Sequence, residues 1–234
     1  MLSCENLKDC ENSLISIFKV DETMIRKIKS EVRNLYLESS DWQLKLLLDK
    51  YNITFKNNMS VCFFHFSRTL NPTSYNMGIQ TLPSIYDNIL EEIASLYKIH
   101  TKDDMMKIIE EKLGNITKKR IYDTKDGPHG FLIKKHGSLR DSISELFIDN
   151  SETVNDVINA LGYDKTLYQS NSKTIIVKFK VNSYNSDVQQ KCIKQALEYI
   201  SLGDNPKYRR FMTYSHDNKG IPVSYEDVLS IEIK

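Results

Sequence analysis

Over the first sixty residues the hydrophobic positions recur at helical spacing. Met24, Ile25, Ile28, Val32 and Leu35 fall on one face with Arg26, Lys27 and Lys29 between them, which predicts an amphipathic helix entered at Asp21-Glu-Thr. Ser40-Asp-Trp-Gln43 reads as a capping box ahead of Leu44, Leu46, Leu47 and Leu48. Leu14-Ile15-Ser-Ile17-Phe18 suits either a short helix or a short strand. The pattern changes at Val61, where an apolar and aromatic run predicts a strand over 61–66. In extended backbone His65 and Ser67 share one face of that strand, and Phe64 and Phe66 the other. Ser67 and Arg68 are expected where the strand opens into the loop Thr69-Leu-Asn-Pro-Thr-Ser-Tyr75.

Beyond the loop, Pro83 opens a helix with Ile85, Ile89, Leu90, Ile93 and Leu96 as its apolar face. Thr101-Lys-Asp-Asp104 caps another, with Met105, Ile108, Ile109 and Leu113 inward and Gly114 as its stop. A turn cluster, Asp123-Thr-Lys-Asp-Gly-Pro-His-Gly130, leads to a short strand at Phe131-Leu-Ile133. Two helices follow at 138–147 and 152–161, the second closed by Gly162. Residues 174–181 form the clearest strand, β-branched and apolar, then alternating. A helix over 188–200, a strand over 209–214, a hairpin-type turn at 216–220 and a last strand over 221–233 complete the chain.

Five to seven strands and six or seven helices, without regular βαβ alternation, argue for an α+β fold. A mixed, mostly antiparallel sheet with flanking helices is expected over 59–234, and a helical N-terminal segment over 1–58.

Composition narrows the function classes. The chain has 234 residues, 40% hydrophobic and 27% charged, enough to bury a sizeable core. Lys and Arg number 32 against 31 Asp and Glu, so bulk electrostatics do not point to a polyanion partner. The 13 tyrosines accompany abundant Lys, Asn and Ile and mark no stacking platform. None of Cys4, Cys10, Cys62 and Cys192 forms a CxxC pair, and His129 and His136 have no Cys or carboxylate in register, so no metal set is expected. The start carries no secretory pattern, and no apolar run has transmembrane length. A cytoplasmic protein with no membrane partner is the expectation. The P-loop, dinucleotide-fingerprint, zincin and nucleophile-elbow motifs are all absent.

Candidate chemistry lies in three segments: His65-Phe-Ser67-Arg68, then Gly127-Pro-His-Gly130-Phe131, then Ile221-Pro222 through Glu226. For each the bland alternative stays open: a core histidine held by a carbonyl, a surface arginine, an ordinary loop, a solvated glutamate. In order and rough spacing the three segments, with Gly78-Ile79 ahead of the helix at Pro83, resemble the ADP-ribosyltransferase-like family over residues 60–234. The resemblance implies NAD as the substrate and no metal. It implies that His65, Ser67 and Arg68 hold the dinucleotide, that Tyr75 or Gly130-Phe131 form the wall for its ring, and that Glu226, or else Glu232, is the acid. The physical roles agree. A His and a hydroxyl serve ribose and carboxamide groups, a guanidinium suits pyrophosphate, and a carboxylate stabilises an oxocarbenium-like centre. The family's strand aromatic is commonly Tyr, whereas Phe131 lacks the hydroxyl.

Three readings follow. The first is a transferase acting on a macromolecular acceptor, as in toxins and defence factors. The second is a non-catalytic nucleotide-binding sensor on the same scaffold. The third is an interaction module in which residues 1–60 dock a protein partner.

Overall fold

The computed structural model describes residues 1–39, 41–55, 58–98, 102–122, 127–137, 152–182, 185–203 and 214–234. Three helices open the chain: α1 (Leu7–Phe18), α2 (Glu22–Glu38) and α3 (Leu44–Lys50). α1 reaches back beyond the apolar run at 14–18 because Asn6 caps it, its Oδ1 accepting from the Asp9 N–H, and because Cys10 adds an earlier buried turn. Asp21 caps α2 through the Met24 N–H at 2.7 Å. The stripe of α2 buries Ile25, Ile28 and Val32, and ends on Tyr36 rather than Leu35. α3 follows Gln43, whose side chain makes no cap bond, and Ser40 lies outside the described residues.

Strand β1 (Ser60–Thr69) runs three residues past the predicted end, so Ser67 and Arg68 belong to the strand itself. A 3-10 helix (Pro72–Met77), α4 (Leu82–Tyr97) and α5 (Lys102–Tyr122) follow. Gly114 takes φ +49° inside α5, where it kinks the helix instead of stopping it. Next come β2 (His129–Phe131), the single turn α6 (Lys134–Gly137), α7 (Glu152–Leu161) and α8 (Lys165–Asn171). Then come β3 (Lys173–Asn182), α9 (Ser186–Leu202), β4 (Ser215–Asp217) and β5 (Val228–Ile233). The helix expected over 138–147, and 209–213 of the strand expected over 209–214, lie outside the described residues. The last strand is shorter than 221–233, because Tyr225–Asp227 form a 3-10 turn before it.

The fold is α+β. The strands form one antiparallel sheet in the order β4-β2-β1-β3-β5. Phe64 of β1 sits opposite Phe131 of β2. Val177 of β3 sits opposite Ile231 of β5, with a bulge between Lys178 and Phe179.

The chain groups into two compact units, each assembled from three pieces. The first takes Met1–Phe64, Phe131–His136 and Lys180–His216. In it α1 and α2 pack on α9, whose Cys192, Ile193, Ala196, Leu197 and Ile200 are buried. The opening segment is stitched in by parallel bridges from Leu2 to Val61 and from Cys4 to Ile133. The expected boundary near 58 therefore differs from this grouping, in which the first helices share a core with α9. The second unit takes His65–Gly130, Gly137–Phe179 and Asp217–Lys234. Its core joins Tyr86, Leu90 and Ile93 of α4 to Met105 and Ile109 of α5, and to Val154, Val157 and Ile158 of α7. Fully burying an aliphatic side chain of this kind stabilises by about 1.5–3 kcal/mol.

Candidate functional site

The second unit carries an open cavity of about 1010 Å³ beside the second half of β1, at the upper end of the roughly 300–1,000 Å³ typical of small-molecule sites. Strand alternation explains its first wall. Phe66 is buried at 2% exposure, while His65 and Ser67, on the opposite face, are half-buried and line the cavity.

His65 is fixed by one bond, its Nδ1 to the His129 carbonyl oxygen at 2.8 Å. The two residues before His129 are themselves held. The Asp217 Oδ1 accepts from the Gly127 N–H at 2.9 Å, and the Asn218 N–H donates to the Pro128 carbonyl at 3.1 Å. Burial pulls the His65 pKa below its ordinary value, against the opposing pull of the His129 carbonyl. The ring is thus neutral, with its proton on Nδ1 facing a pure acceptor. Nε2 is left with a lone pair and accepts hydrogen bonds.

Tyr75 leans toward this imidazole, with ring centroids 6.0 Å apart and planes at 41°. Burial pushes its phenol pKa up, partly offset by the Ser67 hydroxyl. Gly78 closes the same turn, its N–H donating to the Tyr75 carbonyl at 3.0 Å.

Arg68 also lines the cavity, though alternation along the strand sets it on the face opposite His65 and Ser67. Its Nε donates to the Ser172 Oγ at 2.7 Å, one terminal nitrogen to the Thr174 Oγ1 at 3.2 Å, and the other to the Gln169 carbonyl at 2.7 Å. These bonds lock the guanidinium in place.

Helix α4 supplies further lining. Asn88, Glu92 and Ser95, at i, i+4 and i+7, all line the cavity. Burial raises the Glu92 pKa, partly offset by a bond from the Leu70 backbone N–H. Tyr168 of α8 lines the cavity as well. Its phenol is pushed far up, chiefly by burial and next by the charge of Glu92.

Of the residues expected at the site, His65, Ser67, Arg68 and Tyr75 meet here, joined by Gly127, Pro128 and His129. Gly130 and Phe131 are buried in β2 and do not line the cavity. The register sets Phe131 opposite Phe64, as an apolar strand partner. Glu226 is exposed in the 3-10 turn before β5, where its backbone N–H meets the Ser224 hydroxyl at 3.4 Å, and it does not reach the cavity wall. Glu232 lies on β5 opposite Ile176 and is not part of the wall either. The third segment serves as a buttress instead: Val223 pairs with Ile79 through bonds of 3.0 and 2.9 Å. Glu92, Asn88 and Tyr168 were not singled out from the sequence.

Among the described residues no group of three His, Cys, Asp or Glu side chains is placed to hold a metal ion, and no helix is long and apolar enough to cross a membrane. Comparison with protein-family models, curated proteins and solved structures returns no match to this chain.

Proposed function

We propose that the second unit binds an NAD-like dinucleotide in the cavity beside β1, on the layout that resembles the ADP-ribosyltransferase-like family. The observation that carries this reading is the convergence of His65, Ser67 and Tyr75 on one cavity with the His65 Nε2 left as an acceptor. A ribose hydroxyl is a donor that satisfies Nε2. The Tyr75 ring offers an aromatic wall for a base or a pyridine ring. Arg68 lines the same cavity with its donors engaged by Ser172, Thr174 and Gln169, so it is not a bidentate clamp in this reading.

The exposed position of Glu226 favours binding without turnover. A second reading, cleavage of the dinucleotide and ADP-ribosyl transfer to a macromolecule in a toxin or defence setting, is favoured by a different observation: the cavity does contain a carboxyl group, that of Glu92.

A thermal-shift titration tests the first reading. NAD at 100 times its dissociation constant raises stability by about 2.7 kcal/mol, and His65→Ala removes most of the shift. No shift with NAD or with ADP-ribose at millimolar concentration overturns it. Nicotinamide release separates the two readings: its accumulation with the wild type favours turnover, and NAD recovered intact favours the sensor.

A further inference from the structure

Two thiols meet in the first unit. Cys4 and Cys10 place their sulfurs 2.9 Å apart, and both residues are fully buried. Each is a free thiol. A disulfide bond is about 2.05 Å long, so a small further approach closes one. No short sequence motif marks the pair. The chain turns back on itself at Asn6, the cap of α1, and brings the extended Cys4 over the first turn of the helix.

Local bonds hold the two segments face to face. The Asp9 carboxylate, next to Cys10, accepts from both residues that flank Cys4: from the Ser3 hydroxyl at 2.5 Å and from the Glu5 N–H at 3.2 Å. One turn further along α1, the Ser13 Oγ accepts from the Ser3 N–H at 3.2 Å and donates to the Ser3 carbonyl at 3.3 Å. The Cys10 thiol donates to the Ala196 carbonyl of α9 at 3.6 Å, which fixes its sulfur against that helix. The ordering that a bond between the two sulfurs requires is thus already in place. A third thiol, that of Cys192, lies within reach of the charge of Cys4. Burial pushes its pKa up to about 12, and Cys4 adds to the rise, so it stays protonated and is a poor nucleophile.

We propose that Cys4 and Cys10 are an oxidisable pair, which a hydroperoxide converts to a disulfide that staples the opening segment to α1. The hydroperoxide oxidises one thiol to a sulfenic acid and is itself reduced, releasing water or an alcohol. The second thiol attacks the sulfenic sulfur, the S–S bond forms and water leaves. Two electrons pass from the pair of thiols to the peroxide. Access comes from local opening. Leu2 and Cys4 are held by isolated bridges to Val61 and Ile133, so the segment lifts at lower cost than a core strand.

The test is peptide mapping of the full chain, purified reduced, treated with hydrogen peroxide and alkylated before digestion. The expected result is a fall from four free thiols to two, with a cross-linked peptide joining Cys4 to Cys10. The melting temperature rises by about 3–8 °C and returns to its starting value with dithiothreitol. Cys62→Ser and Cys192→Ser keep both the cross-link and the shift, and Cys4→Ser and Cys10→Ser lose both. The wild-type map stands whether or not those last two variants fold. The chain denatured in urea and treated in the same way is the control, because near neighbours in sequence also pair in an unfolded chain. A native yield of the Cys4–Cys10 bond no greater than the yield in urea overturns the proposal. So do four thiols retained, or a cross-link to Cys62 or Cys192. A mapped Cys4–Cys10 bond that leaves the melting temperature unraised overturns the stapling.

Discussion

Glu198 is 4% exposed in α9, and its carboxylate accepts from the Trp42 Nε1–H at 2.9 Å, with Lys194 over the indole ring. Burial lifts its pKa from 4.5 to about 7, against the smaller downward pulls of Trp42 and Lys194. In the window between those values the native state holds a proton that the unfolded chain has released. Stability contributed by this group is therefore present at acid pH, falls as pH rises through the window, and levels off above it. Melting temperatures recorded across that range should decline more steeply in wild type than in Glu198→Gln; parallel curves would contradict the assignment. His65 has the opposite sign. Its lowered pKa means that protonation opposes the native ring, so its contribution is present above the ordinary histidine value of about 6.5 and is lost as pH falls below it through the lowered native value. At this scale the sequence was legible where strand period alone decides, as at His65 and Ser67. It was not legible at Glu92, since a glutamate on an amphipathic helix reads as solvated until the neighbouring wall is known.

The elements that make the site are short and mutually braced, and one glycine shows how tightly. Gly78 takes φ +92°, and a Cβ there would collide with the Val223 carbonyl oxygen. Gly78→Ala is expected to cost about 1–3 kcal/mol or more and to weaken dinucleotide binding, because the same residue anchors Tyr75. A denaturant midpoint equal to wild type would show that the Gly78–Val223 approach bears no strain. Helix α4 explains why the candidate site was only half visible. Ile85, Ile89, Leu90, Ile93 and Leu96 look like one apolar stripe, but Leu90 and Ile93 are buried in the core, while Ile89 and Leu96 pack against that core and, with Ile85, also line the cavity. The signal that was available is the polar series Asn88, Glu92, Ser95 at helical spacing. Helix α8 went unread as well. It is seven residues long and starts at the Asp164 cap, which bonds the Thr166 N–H at 2.9 Å. That cap was the available cue, and with it Tyr168 and Asn171 would have joined the candidate wall.

In the whole molecule, the α+β class followed from the mixture of periods, but the grouping into units did not. Each unit is built from three separated stretches, and no local pattern records which distant helix completes a core. The late acids illustrate the same limit. Glu226 was chosen by its order in the chain, while its side chain is set by a 3-10 turn that faces solvent. What the account requires of the molecule is a dinucleotide seated in the cavity beside β1. A crystal of the full chain soaked in NAD tests this most directly. The account predicts density inside the cavity, with a ribose hydroxyl within hydrogen-bond reach of the His65 Nε2. Dinucleotide bound elsewhere on the chain, or a cavity left without dinucleotide at saturating concentration, would contradict it.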